Sequence, residues 1–210
     1  FVYLLLAFGD DPAHAGLVLA LGAAAVLVFE VPTGIVADRF GRKRSVLLGD
    51  LVQGAAIAAV PLGATLDPAW RLPALGALFV LHGIGDTLVS GAEDAWVCDN
   101  LDARGRSDLA ARWFARENSV ASLAGLVSGV IATALALAAL GEPTAELLHA
   151  FWVVAGAAQI LSALLLLPVP ELDPGESAHD EDDDEEEGDD EPSALVATGR
   201  ALQHVGRSPA

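Results

Sequence analysis

The sequence predicts an all-α membrane protein. Three observations carry that prediction: an apolar composition, apolar runs long enough to span a bilayer, and basic residues gathered in alternate loops. Of the 210 residues, 53% are hydrophobic and only 19% are charged, with a mean hydropathy of +0.49. A water-soluble domain of this length needs a larger polar shell, so the balance points to lipid as the solvent. The net charge of −18 runs against this, but 14 of the 29 acids lie between Glu171 and Glu191. The charge describes a tail, and the apolar body before it is only mildly acidic.

A bilayer core takes roughly 20 mostly apolar helical residues. Five stretches qualify: Ala13–Val36, Ser45–Leu66, Leu72–Val97, Ser119–Leu140 and Leu147–Leu167. "FVYLLLAF", Phe1–Phe8, reads as the last turns of a sixth helix that begins before Phe1. It lacks the basic n-region and the small-residue cleavage site of a signal peptide. Membrane strands are excluded, because the runs are rich in Ala, Leu and Gly, show no alternation, and are about twice the length of barrel strands. A soluble helical bundle would not join five such runs in succession by short loops.

Lysine and arginine in short loops set the orientation. Arg39, Arg42, Lys43 and Arg44 fall in the loop 38–44, and Arg104, Arg106, Arg112 and Arg116 in the loop 99–117. The intervening loops Gly9–Pro12 and Gly141–Glu146 carry none, and Asp67–Arg71 carries one. Loops 38–44 and 99–117 are therefore expected on the cytoplasmic side of the plasma (inner) membrane, together with the tail 171–210.

The loop 38–44 belongs to a longer motif, "GIVADRFGRKR", Gly34–Arg44. Gly34 has no side chain and admits a close helix approach at the end of its own helix. Asp38 lies one turn further on the same face, within reach of Arg42 or of the positive end of a neighbouring helix. Gly41 permits the tight turn that brings Arg42 back. The helix containing Asp99 runs toward the same side, so Asp99 is expected to pair with Arg39 or Arg42, with Asp94 as the second candidate. The plainer reading of these charges is a topology anchor.

This motif resembles the loop signature of the major facilitator superfamily of secondary transporters, G-x-x-x-D-R-x-G-R-[KR]. Gly34, Asp38, Arg39, Gly41, Arg42 and Lys43 match it, and the preceding "EVPTG", Glu30–Gly34, is similar to the E-x-P-T-G entry of many members. "SGAEDAWVCDNL", Ser90–Leu101, resembles the end of the fourth helix in the same superfamily. The resemblance covers about residues 1–170. It implies the six-helix amino-terminal half of a carrier with its first helix truncated, working by alternating access on a small-molecule solute held near the bilayer midplane. It also implies a conformational latch made of Gly34, Asp38, Arg39, Gly41, Arg42, Lys43 and Asp99, closing against a carboxy-terminal half.

Carboxylates inside the apolar runs are the best chemical clues. A charge at mid-bilayer costs about 2.5–3.5 kcal/mol on insertion scales, so it normally faces protein or a water-filled path. Glu30, Asp86, Glu93 and Asp94 are such acids, and Asp50 lies nearer the basic loop, where it can join that cluster. His82 and Asp86 stand four apart on one helix, which makes them the leading candidate proton or substrate site; a buried pair that only joins helices is the alternative. Two departures from the drug-exporter pattern weaken an antiporter assignment. Phe79 stands where those proteins carry an arginine four residues before G-x-G, and "GLVSG", Gly125–Gly129, lacks their proline. Gly125 and Gly129 more simply mark a close helix contact.

Little else suggests chemistry. Cys98 is the single cysteine, the five histidines show no ligand spacing, and no phosphate-binding glycine loop follows a strand. No enzymatic reaction, cofactor, metal or nucleic-acid partner is expected. Residues 171–192, which contain "DEDDDEEEGDDE", are expected to form a disordered, solvated cytoplasmic linker, since like charges repel and nothing apolar can be buried. Residues 193–210 place Leu195, Leu202 and Val205 at near-helical spacing, as in an amphipathic segment on the inner surface leading to a second half. The function expected is solute transport driven by a proton or ion gradient. A non-transporting sensor or scaffold of the same fold, signalling through the acidic linker, is the alternative.

Overall fold

The computed structural model describes residues 1–138 and 145–171. The chain divides into a unit Phe1–Pro174 and a unit Gly175–Ala210, and the second lies outside the described residues, as do the expectations for the amphipathic segment and, past Glu171, for the acidic linker. The described chain is helical: α1 (Val2–Ala7), α2 (Pro12–Phe40), α3 (Arg42–Ala64), α4 (Pro68–Asp102), α5 (Ala110–Ala138) and α6 (Ala145–Leu166), with a 3₁₀ turn at Ser107–Leu109. Among the described residues there is no strand. By length and composition α2, α3, α4 and, from Leu147 to Leu166, α6 can each cross a membrane. The fifth expected span, Ser119–Leu140, falls on α5 and ends outside the described residues.

Helix ends follow local chemistry. Asp11 caps α2, its carboxylate accepting from the Ala13 amide at 2.9 Å, and Pro12 takes the first helical position, where no amide is needed. His14 hydrogen-bonds the same carboxylate and, with the Ala13 amide, holds it below the usual carboxylate range. Pro68 opens α4 in the same way. Pro32 does not interrupt α2. The Thr33 hydroxyl lies 2.7 Å from the Phe29 carbonyl and 3.2 Å from that of Thr87, so it supports the helix locally and reaches α4.

α4 packs against α2 and α3, and α3 packs on its other side against α6. Among the described residues α5 packs lightly, against the 3₁₀ turn and α4. One core joins Tyr3, Leu4, Val18, Val60 and Leu75, with Phe79 and Trp152 packed against it. A second, smaller core joins Ala37, Val46 and Ala92 at the other end of the bundle.

With lipid as solvent there is little hydrophobic drive between helices, so close contact and hydrogen bonds must hold them. Glycines make that contact. A Cβ on Gly85 would stand 2.9 Å from the Gly49 carbonyl, and one on Gly54 would stand 2.8 Å from the Gly156 carbonyl. The first pair brings α3 onto α4 and the second brings it onto α6. The Ser45 hydroxyl adds a 2.8 Å bond to the Leu88 carbonyl near the first crossing. Gly125 and Gly129 have nothing within 4 Å of such a Cβ, so no helix among the described residues lies against them. We therefore expect Gly85→Val to destabilise the bundle by roughly 1–3 kcal/mol through overpacking. Gly125→Ala in the same chain should be neutral or slightly stabilising. Unfolding in detergent followed by circular dichroism checks both.

Candidate functional site

The reversal between α2 and α3 depends on Gly41, whose φ of +99° lies in the region that side chains avoid. Its amide still bonds the Ala37 carbonyl at 3.0 Å, closing α2, while its carbonyl accepts from Ser45, opening α3. The turn sends Arg42 across to α4, where its Nη1 donates to Oδ2 of Asp99. The two side chains are 33% and 28% exposed, so the pair is half out of water and is less screened than a surface pair. Asp38 lies 3.9 Å from Arg42 with its own side chain 70% exposed. Arg39 makes no ion pair among the described residues, and Asp94 is exposed on α4 without a partner there.

Lys43 turns the other way. Its Nζ donates to the carbonyls of Leu167, at 2.8 Å, and Val169, where a cation satisfies the free end of α6. In return, the Glu171 carboxylate accepts the Lys43 amide at 3.1 Å, placing an anion at the start of α3. The loop thus ties the start of α3 to the ends of both α4 and α6. Gly34, by contrast, is exposed with open space beside it.

The deep carboxylates are dispersed. Glu30 and Asp86 are exposed on α2 and α4, directed away from the packed helix faces. Glu93 is half-buried and lines a cavity of about 280 Å³ with Trp96, Asn100, Arg104, Trp113 and Leu166. His82 lines a different cavity of about 170 Å³ with Ile57, Phe79 and Trp152, between α3, α4 and α6. Among the described residues no hydrogen bond or ion pair joins His82 to Asp86. Four residues advance about 40° beyond a full turn, which is enough to leave His82 against α3 and Asp86 on the open side.

Asp50 does not join the basic cluster. It lies two turns inside α3, about 12 Å along the axis from Arg42. It is buried, and Gln159 of α6 donates to it at 2.6 Å. Its sequence signal is in α6, where Gln159 and Ser162 interrupt an apolar run three residues apart, on one face. Among the described residues no group of three or more His, Cys, Asp or Glu is placed to hold a metal ion.

Long apolar helices, glycine-mediated crossings and basic residues gathered at helix ends and loops define a multi-pass α-helical membrane protein. The sequence profile of the Major Facilitator Superfamily matches residues 1–210, and the chain belongs to that family. It is 32% identical over 173 residues to uncharacterized MFS-type transporters of two Mycobacterium tuberculosis strains, CDC 1551 / Oshkosh and ATCC 25618 / H37Rv. The match takes in 80% of this chain and 37% of each relative, so the chain spans well under half of their length. No solved structure matches it.

The pairing of Arg42 with Asp99 has a direct test. Arg42→Gln and Asp99→Asn should each destabilise the chain, and the double variant should cost less than the sum, with a coupling on the order of 1 kcal/mol. A double-mutant cycle in detergent measures it, and Arg39→Gln provides the uncoupled control.

Proposed function

We propose that the chain is the amino-terminal part of a carrier that moves a small solute across the plasma membrane by alternating access, driven by a proton or ion gradient as a symporter or antiporter. The observation that carries this reading is the exposure of Asp86 midway along α4 and of Glu30 on α2, both within helices long enough to span a membrane. A carboxylate in contact with hydrocarbon is costly, so these two belong on a water-filled path or against further protein. A second half of the carrier facing α2 and α4 would enclose them. Asp86 is the first candidate for the exchangeable proton, with Glu30, Glu93, Asp94 and His82 as the rest of the solute and proton pathway. Gly34, Asp38 and the Arg42–Asp99 pair then form the latch, at the end where a second half would close.

In proteoliposomes holding the full-length carrier, a panel of solutes is screened for accumulation under an imposed pH gradient. Asp86→Asn should abolish accumulation of the solute so found while counterflow exchange continues. A variant that still concentrates solute moves the coupling role to Glu30 or Glu93.

The same reading puts loops 38–44 and 99–117 in the cytoplasm, because both are basic. In a Cys98→Ser background, a cysteine at position 42 or 106 should resist an impermeant maleimide applied to intact cells and react after permeabilisation. Labelling from outside reverses the topology.

One contact favours a second reading, a sensor that signals through its acidic segment. Glu171, the first acid of that segment, accepts the Lys43 amide beside the latch. A specific protein partner for residues 171–192, in a chain that transports none of the panel, would support the sensor.

A further inference from the structure

At the end of α4 opposite Asp99, about 40 Å away along the helix, lies a cluster that the transport reading does not use. Tyr3, Leu6, Ala64, Arg71, Leu148 and His149 line a cavity of about 290 Å³ between α1, the end of α3 and the starts of α4 and α6. Among the described residues two donors there are buried without a hydrogen-bond partner: the Tyr3 hydroxyl, on a residue only 8% exposed, and Nε of Arg71. Such orphans are uncommon, because each leaves a desolvation cost of about 1–3 kcal/mol uncompensated.

The guanidinium of Arg71 is also short of charge. Its Nη atoms donate to the carbonyls of Ala7, at 2.5 Å, and Leu66, at 3.1 Å, which tie the ends of α1 and α3 together. Carbonyls satisfy hydrogen bonds but do not neutralise a cation. No carboxylate pairs with Arg71 among the described residues, although Asp67 stands one turn before it. The cavity is therefore lined by two residues, Arg71 and Tyr3, each carrying a buried donor that has no partner among the described residues, and by the His149 ring, whose centroid lies 5.7 Å from that of Tyr3. Its remaining wall is mostly aliphatic, Leu6, Ala7, Ala64 and Leu148, with Thr65, whose hydroxyl is taken up by the Leu62 carbonyl at 2.9 Å.

We infer that this cavity binds a small monocarboxylate, its carboxyl group accepting from Arg71 Nε and the Tyr3 hydroxyl and its short alkyl tail resting on the aliphatic wall. Planar carboxylates suit a guanidinium edge, and the two oxygens of one carboxyl group supply an acceptor for each orphan donor. The aliphatic wall favours an organic acid over an inorganic anion. The site is distinct from the deep acids of α2 and α4, and stands whether or not those carry a coupling proton.

The test uses the full-length protein in detergent at fixed ionic strength, with butyrate as the probe and butyramide as its neutral counterpart. Butyrate should raise the thermal midpoint saturably, and butyramide and chloride should not. Arg71→Gln should lose the response. Because Arg71 also joins two helix ends, Tyr3→Phe gives the cleaner comparison. Its hydroxyl has no partner among the described residues, so the variant should unfold no earlier than the parent without butyrate, yet bind butyrate ~5-fold more weakly. The absence of a saturable response, an equal response to butyramide or chloride, or unchanged butyrate affinity in Tyr3→Phe would each overturn the inference.

Discussion

How near α3 can come to its two neighbours governs the rest of the bundle. Helix axes separated by side chains lie 8–10 Å apart, and only a missing Cβ lets backbones meet more closely. Gly49 and Gly85 meet on one side of α3, and Gly54 and Gly156 on the other. With those crossings fixed, short polar groups can reach across them. Ser45 reaches the Leu88 carbonyl, and Gln159 reaches Asp50. Both bonds need an approach that a larger residue at the crossings would forbid. The rotation of each helix follows from the same contacts, and it decides which acids are covered and which are left open.

The helices were legible in the sequence because lipid imposes one strong rule. A span must be long, apolar and internally hydrogen-bonded, and five runs satisfied it on inspection. The contact between Arg42 and Asp99 was also legible, since alternating direction brings the end of one span beside the start of another. The crossings were not. "GLVSG" in α5 shows the small-xxx-small spacing most clearly, yet no described helix lies against it, whereas Gly49, Gly85 and Gly156 do the joining without so clean a pattern. Spacing within one helix reports a permissive face, and only the partner helix decides whether that face is used.

The candidate site divides along the same line. Residues at helix ends fell where topology placed them, because their position along the membrane axis is all that matters there. Residues deep in the spans depend on angle as well as depth. His82 and Asp86 share a nominal face, but a 40° difference puts one against Trp152 and the other in the open. Asp50 illustrates the converse. Its depth suggested the basic loop, and its angle gave it to α6. The outer cluster of Tyr3 and Arg71 was invisible for a further reason: it is assembled from the ends of four helices, and no local pattern marks any of them.

Lys43 has a bearing on how the protein is made. Its ammonium is satisfied by Leu167 and Val169, which lie 124 and 126 residues later in the chain. A ribosome delivers those carbonyls only after α4, α5 and α6 have been synthesised. Until then Lys43 remains solvated, and the start of α3 lacks the carboxylate of Glu171. The clasp is therefore a late event of membrane insertion, closing when the sixth helix arrives, and the preceding hairpins must hold their positions through contacts that do not need it, among them the Gly49–Gly85 crossing, the Thr33 and Ser45 bonds to α4 and the Arg42–Asp99 pair.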